Sequence, residues 1–247
     1  MSVARHVYLR RVLFGRRFSA ALTLFAGLRM MQLLGMSERD FQSAGGVLPI
    51  CFALTSAMTF LVFVATPLFL LGLSDIPAML ASYLRAIRAG SRRASFMRLV
   101  PVVALRAAVF AFFTVMSGLV IVALRFGCAF SVAGYTLFAL METVPMAVML
   151  LTCGLLLLAA YLATCSLPGA ACCALVYDAV DYAIDRTYLA DTPAMWLGWK
   201  LALFTYPVDL ALELGKLVRL MAIALVFLAL AAGAARRFDY QMADGGS

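Results

Sequence analysis

The sequence predicts an all-α protein in which six membrane-spanning helices form one polytopic bundle. Hydrophobic residues make up 65% of the 247 residues, and the mean hydropathy of +1.01 exceeds what a soluble domain of this length can bury. Six apolar runs approach the roughly 20 residues with which an α-helix crosses a hydrocarbon layer of about 30 Å. Arginines cluster between these runs, which favours a membrane protein over a nucleic-acid-binding one.

The six predicted spans divide a transmembrane region of residues 18–235. They cover residues 18–36, 47–73, 99–124, 135–164, 167–184 and 214–235. Only the sequence CSLPG separates the fourth span from the fifth, and Pro168 and Gly169 predict a tight break there between antiparallel helices. The fifth span is short enough that a full crossing and a re-entrant path are both open. The first run also has the basic start of a signal peptide, but Arg29 is followed by more apolar residues and by no small-residue cleavage site.

The arginine distribution predicts the orientation of the bundle. Five arginines lie in the N-terminal segment of residues 1–17, five more lie in the connection of residues 74–98, and Arg236 and Arg237 begin the tail of residues 236–247. With six spans, all three segments fall on one face. Lys and Arg accumulate on the cytoplasmic side of a membrane, so we expect both termini there and residues 185–213 outside.

The connection between spans two and three predicts a short amphipathic helix over Ile76 to Ala89. Ser74 and Asp75 are suitable N-cap residues, and Gly90 lies where the helix would end. Its apolar side chains and its arginines fall on nearly opposite sides. Two interpretations are open: the helix lies in the inner headgroup layer with its arginines on anionic lipid, or it docks onto a cytoplasmic partner.

The basic stretch IRAGSRRASFMRLV, preceded by two spans and followed by four, resembles the corresponding loop of small six-span permease subunits of ABC-2-type transporters. In that family the loop contains a coupling helix that contacts the ATPase. Phe96 departs from the family pattern, because Ala94 and Ser95 separate it from the basic cluster. The resemblance assigns ATPase docking to Arg85, Arg88, Gly90, Ser91, Arg92 and Arg93.

The same resemblance implies the partners and the cofactors. The chain would be a permease in the cell membrane that dimerises with itself or a sister chain and moves an unidentified substrate. ATP and Mg would be bound by a separate cytoplasmic ATPase, with no cofactor in this chain. Two alternatives stay open: a non-transporting assembly, immunity or sensor protein, in which the arginines only set topology, and an ion-coupled carrier working alone.

Ionisable residues inside predicted spans are costly and are therefore candidates for a substrate path. Arg29 and Arg106 each lie about two turns from a membrane face, so each side chain could snorkel to the headgroups or pair with another helix. Glu142, near the outer end of span four, is a candidate partner for Arg29.

Three aspartates follow one another in the sequence YDAVDYAIDRTY. Asp178, Asp181 and Asp185 recur at spacings of three and four, so they share one helical face. This pattern favours either an outer helix end in solvent or an acidic lining that attracts a cationic substrate. Trp196 and Trp199 in the following segment predict an interfacial helix on the outer surface, held by its aromatic residues.

Several catalytic functions find no motif here. The only Gly-Lys pair, Gly215 and Lys216, is followed by Leu217, so the phosphate-binding pattern GxxxxGK[ST] is missing. A single histidine, His6, excludes HExxH, and the six cysteines lie in or beside apolar runs without paired CxxC spacing. We therefore expect no enzymatic activity, no metal site and no nucleic-acid binding in this chain.

Overall fold

The computed structural model describes residues 15–35, 57–76, 92–126, 132–187, 196–204 and 209–237. The regular elements in these ranges are all helical. They are α1 (Arg16–Gly35), α2 (Met58–Leu73), α3 (Arg92–Phe126), α4 (Val132–Thr164), α5 (Leu167–Asp185), α6 (Trp199–Ala202) and α7 (Leu210–Arg237). The prediction of an all-α chain is confirmed for the described residues.

Four of these helices contain segments long and apolar enough to cross a membrane. The segments are Phe96–Leu124, Gly134–Thr164, Leu167–Ile184 and Leu210–Ala235. They match predicted spans three to six to within four residues at each end. The predicted first span coincides with α1, which is not among the four, and the second coincides in part with α2, of which 16 residues are described.

Helix α4 is the centre of the bundle. It packs against α3, α5 and α7 along its length and also contacts α2 and the short α6. A Cβ atom added at Gly154 would lie 2.6 Å from Val103 Cγ1, so the absence of a side chain at this position lets α3 approach α4 closely. Helix α1 packs on α2 and α3 at the side of this core.

Helix α2 contains a π-helical turn at Leu61–Ala65, between α-helical turns on either side. The Thr66 hydroxyl donates a hydrogen bond of 3.2 Å to the Leu61 carbonyl, five residues earlier. That spacing is the one that a π-helical turn brings together, and such turns within α-helices are frequent at functional sites.

The break between α4 and α5 falls at Cys165 and Ser166, between the predicted bounds of spans four and five and just before Pro168 and Gly169. Helix α4 ends at Thr164, Cys165 takes a positive φ of 54°, and Ser166 caps α5 by accepting a hydrogen bond from the Gly169 amide at 3.3 Å. Pro168 therefore lies in the first turn of α5, where its missing N–H costs no helical hydrogen bond. Among the described cysteines, Cys153 is buried, whereas Cys165, Cys172 and Cys173 are exposed.

Candidate functional site

The predicted docking residues lie mostly outside the described part of the chain. This holds for Arg85, Arg88, Gly90 and Ser91 and for most of the predicted amphipathic helix. Arg92 and Arg93 form the first turn of α3, whose helix runs without interruption to Phe126. The third span was predicted to start at residue 99, and the helix begins seven residues earlier, because nothing in RRASFMR breaks it.

Arg106 joins three helices at the end of α2. Its side chain is fully buried; one guanidinium nitrogen donates to Asp75 Oδ2 at 2.9 Å, and the other donates to Asp75 Oδ1 and, at 2.8 Å, to the Gly72 carbonyl. The guanidinium carbon also lies 5.3 Å from the centre of the Phe18 ring on α1. Arg106 therefore pairs with another helix and does not snorkel.

Arg17 on α1 extends this junction. It donates to the Ser74 hydroxyl at 3.0 Å. Ser74 and Asp75 were predicted to cap a helix that begins at Ile76, yet they bind arginines from α1 and α3. We call Arg17, Ser74, Asp75 and Arg106 the arginine junction.

Arg29 is also enclosed by protein, with 1% of its surface exposed. It donates to Gln32 Oε1 at 2.6 Å, and its guanidinium carbon lies 4.4 Å from the centre of the Phe60 ring on α2. Both carboxyl oxygens of Glu142 lack a hydrogen-bond partner among the described residues, so the pairing of Arg29 with Glu142 considered from the sequence is not formed.

Asp181 anchors the segment before the last helix to the end of α5. Its carboxylate accepts three backbone N–H groups, from Leu197 at 3.2 Å, Gly198 at 2.9 Å and Trp199 at 2.6 Å. Tyr177 on the same helix donates to the Leu197 carbonyl. A carboxylate with three amide donors is satisfied without water, so Asp181 holds the chain in place.

The segment held by Asp181 lies inside the protein. Trp199 is fully buried, and Trp196 is 9% exposed, so these tryptophans do not form the predicted interfacial anchor on the outer surface. A Cβ atom added at Gly198 would lie 2.8 Å from Met149 Cε and 2.9 Å from Asp181 Oδ2. Only glycine allows this approach of backbone to carboxylate without displacing them.

Asp178 lies one turn before Asp181 and has a different environment. It is fully buried, and neither carboxyl oxygen has a hydrogen-bond partner among the described residues. Its polar neighbours are Thr66, next to the π-helical turn, and the indole of Trp199, whose Nε1 is also buried without a partner. As the spacing predicts, Asp178, Asp181 and Asp185 lie on one helix. Asp178 and Asp181 are enclosed by protein and are not solvated. The Asp185 side chain lies outside the described residues.

Three buried charged side chains lie where α4 packs against α7. Glu213 and Lys216 on α7 form an ion pair with an N–O distance of 2.7 Å, and Lys216 also donates to the Leu203 carbonyl at 2.7 Å. Both are at most 5% exposed. They act electrostatically on the fully buried Glu142 of α4. We call Glu142, Glu213 and Lys216 the α4–α7 charge cluster.

Sequence reasoning missed two members of this cluster. The predicted last span begins at residue 214, so Glu213 falls in the predicted outer segment of residues 185–213. Lys216 enters the sequence analysis only through the phosphate-binding pattern that it fails to complete. The signal was present, because a Glu–Lys pair at spacing three inside an apolar helix is typical of an internally paired buried charge.

A cleft of about 450 Å³ opens between α3 and α4. Its lining is largely apolar, as at Phe112, Met116 and Leu140, and includes the hydroxyl-bearing residues Tyr135 and Thr143. Glu142 and Asp178 do not line it. Within the described ranges, no group of three or more His, Cys, Asp or Glu side chains is arranged to hold a metal ion.

In the part of the chain that the structure describes, the regular elements are all helical, four helices are able to cross a membrane, and ionisable side chains are enclosed between helices. Comparison with family models, with curated proteins and with solved structures finds no match to this chain.

Proposed function

We propose that the chain is a permease subunit of an ABC-2-type transporter in the cell membrane, with six spans and both termini in the cytoplasm. It moves an unidentified substrate as a dimer with itself or a sister chain. A separate ATPase binds ATP and Mg and hydrolyses the nucleotide, so this chain needs no cofactor. The resemblance of the basic connection to the coupling loop of that family is the starting point of the proposal.

The arginine junction is the observation that carries the proposal. A docking element moves a membrane domain only if its ends are fastened to the spans. The connection leaves α2 directly after Ser74 and Asp75, which are bound to α1 and α3, and enters α3 at Arg92 as continuous helix. A displacement of the connection is therefore transmitted to three helices together.

Copurification with the ATPase tests this function. Replacing Arg88, Arg92 and Arg93 by Gln should abolish nucleotide-dependent recovery of a cytoplasmic ATPase with the chain, because these side chains form the proposed docking surface. The matched control replaces Arg5, Arg10 and Arg11 by Gln, which removes the same charge from the same predicted face. Equal recovery from both variants would contradict docking and would favour a non-transporting protein in which arginines only set topology.

The buried Asp178, whose carboxyl oxygens have no hydrogen-bond partner among the described residues, favours a second candidate, a carrier that couples to an ion gradient without an ATPase. Ionisable groups at membrane depth commonly form ion pathways. Proteoliposomes that contain only this chain distinguish the two functions: an imposed proton gradient should drive measurable flux through a carrier, and Asp178→Asn should abolish it. Flux that persists unchanged in Asp178→Asn would remove the main support for this candidate.

A further inference from the structure

The α4–α7 charge cluster contains one carboxyl group more than it can neutralise internally. Glu213 and Lys216 form an ion pair with an N–O distance of 2.7 Å, and the Lys216 ammonium also donates a hydrogen bond to the Leu203 carbonyl. Glu142 lies beside this pair but forms no hydrogen bond with it. With all three groups ionised, the cluster would carry a net charge of −1 in a region sealed from solvent.

Three other ionisable groups on the helices that pack against α4 face different neighbours. Arg106 on α3 binds Asp75, and Asp181 on α5 binds the backbone before α6. Asp178 on α5 faces Thr66 and Trp199. Glu213 and Lys216 are thus the charged groups that act on Glu142 in the described part of the chain.

A buried ionised carboxylate is tolerated when donors replace its lost hydration, as three amides do at Asp181. At Glu142 neither oxygen has a donor among the described residues, and the surface exposure of the residue is zero. A metal cation would need several further oxygen ligands, and within the described ranges Glu142 belongs to no group of three or more His, Cys, Asp or Glu side chains that could hold one. A proton is the one cation that a single carboxyl group binds without additional ligands.

We propose that Glu142 is a proton-binding site inside the membrane region, set against the Glu213–Lys216 ion pair. A proton from water adds to one carboxylate oxygen, which gives a neutral carboxylic acid and brings the cluster to zero net charge. This site goes beyond the proposed function and does not depend on it, because it follows from the contacts of α4 and α7 alone.

Infrared spectroscopy of the full chain in lipid tests the proposal. Asp178→Asn serves as the background, because Asp178 is a second fully buried carboxyl group without a hydrogen-bond partner among the described residues. In that background the carbonyl stretch of a neutral carboxylic acid should be present at neutral pH and lost when Glu142→Gln is added. The matched variant Asp181→Asn removes a carboxylate that already has three donors, so it should leave that band unchanged. A band that is absent from Asp178→Asn, or that survives when Glu142→Gln is added to it, would overturn the assignment.

Dicyclohexylcarbodiimide gives a second measurement, since it adds to neutral carboxylic acids in apolar surroundings and leaves a stable N-acylurea. We expect the modification on the peptide that contains Glu142, with Glu213 and Asp181 unmodified as internal controls. Modification of Glu213 in place of Glu142 would assign the proton to the other carboxyl group. Protection of Glu142 by sodium ions at constant pH would show a metal-cation site and would also contradict the proposal.

Discussion

The arginine junction and the α4–α7 charge cluster both enclose ionisable side chains between helices, but they differ in how those charges are compensated. At the junction, Arg106 finds a carboxylate and a backbone carbonyl, and Arg17 finds a hydroxyl. In the cluster, the described part of the chain provides no hydrogen-bond donor to the carboxyl group of Glu142. The junction holds helices together, whereas the cluster contains a carboxyl group whose burial is not compensated by hydrogen bonds from the described residues. Within one membrane domain, the number of satisfied hydrogen bonds therefore separates structural charges from candidate functional ones.

The largest effect should come from breaking the junction. Asp75→Ala leaves the fully buried Arg106 guanidinium without its carboxylate, and removing one partner of a buried pair costs about 3 kcal/mol of unfolding free energy. Glu142→Gln should leave the stability within about 1 kcal/mol of the wild type, since no contact is lost. Denaturant titration of helix content in mixed micelles measures both. Equal losses of unfolding free energy in the two variants would show that the junction and the cluster do not differ in how they stabilise the fold.

A smaller effect is expected at α5, where two aspartates one turn apart show the same contrast. Asp181→Ala leaves three backbone N–H groups without an acceptor and should cost about 2 kcal/mol, whereas Asp178→Ala should change stability by less than about 1 kcal/mol. The only two tryptophans in the chain, Trp196 and Trp199, lie in the anchored segment. Their fluorescence should shift to longer wavelength in Asp181→Ala alone; a shift of the same size in Asp178→Ala would show that both carboxyl groups anchor the segment.

The smallest effect on the free energy of unfolding is expected at two glycines, one closely packed and one on the open surface. Gly198→Ala forces a methyl group against Met149 and Asp181 and should destabilise by about 1 to 2 kcal/mol. Gly215→Ala meets nothing within 4 Å and, in a helix, should be neutral or stabilising by up to about 1 kcal/mol. Thermal unfolding followed by circular dichroism measures the two. A destabilising Gly215→Ala would indicate that α7 packs against another chain there.

The positions of the helices followed from the sequence, but their partners did not. Hydropathy and turn residues located predicted spans three to six closely, because a run of about 20 apolar residues is itself the physical requirement for crossing a bilayer. Arg106 was correctly recognised as an ionisable residue at membrane depth. Its pairing with Asp75 was not predicted, because Asp75 had been assigned to a helix cap and only the packing of α2 on α3 brings the two together.

The burial of the two tryptophans before the last span could not be predicted from the sequence either. An aromatic pair beside a predicted span is typical of a membrane interface, and no local pattern distinguishes that from burial. The deciding contact is the carboxylate of Asp181, which lies 16 or more residues earlier in the chain. The sequence likewise identifies Glu142 as an ionisable residue inside a predicted span, but only the packing around α4 shows that its carboxyl group has no donor among the described residues.

The π-helical turn of α2 has a consequence for how that helix can be altered. One extra residue in a turn changes the angular phase between the two flanking α-helical stretches by about 100°. Met58–Phe60 and Thr66–Leu73 are therefore not on a common helical wheel, and a register inferred from one stretch misassigns the faces of the other. Deleting one residue from Leu61–Ala65 would shorten α2 by only about 1.5 Å, yet it would turn Phe60 away from the guanidinium of Arg29, or Gly72 away from that of Arg106.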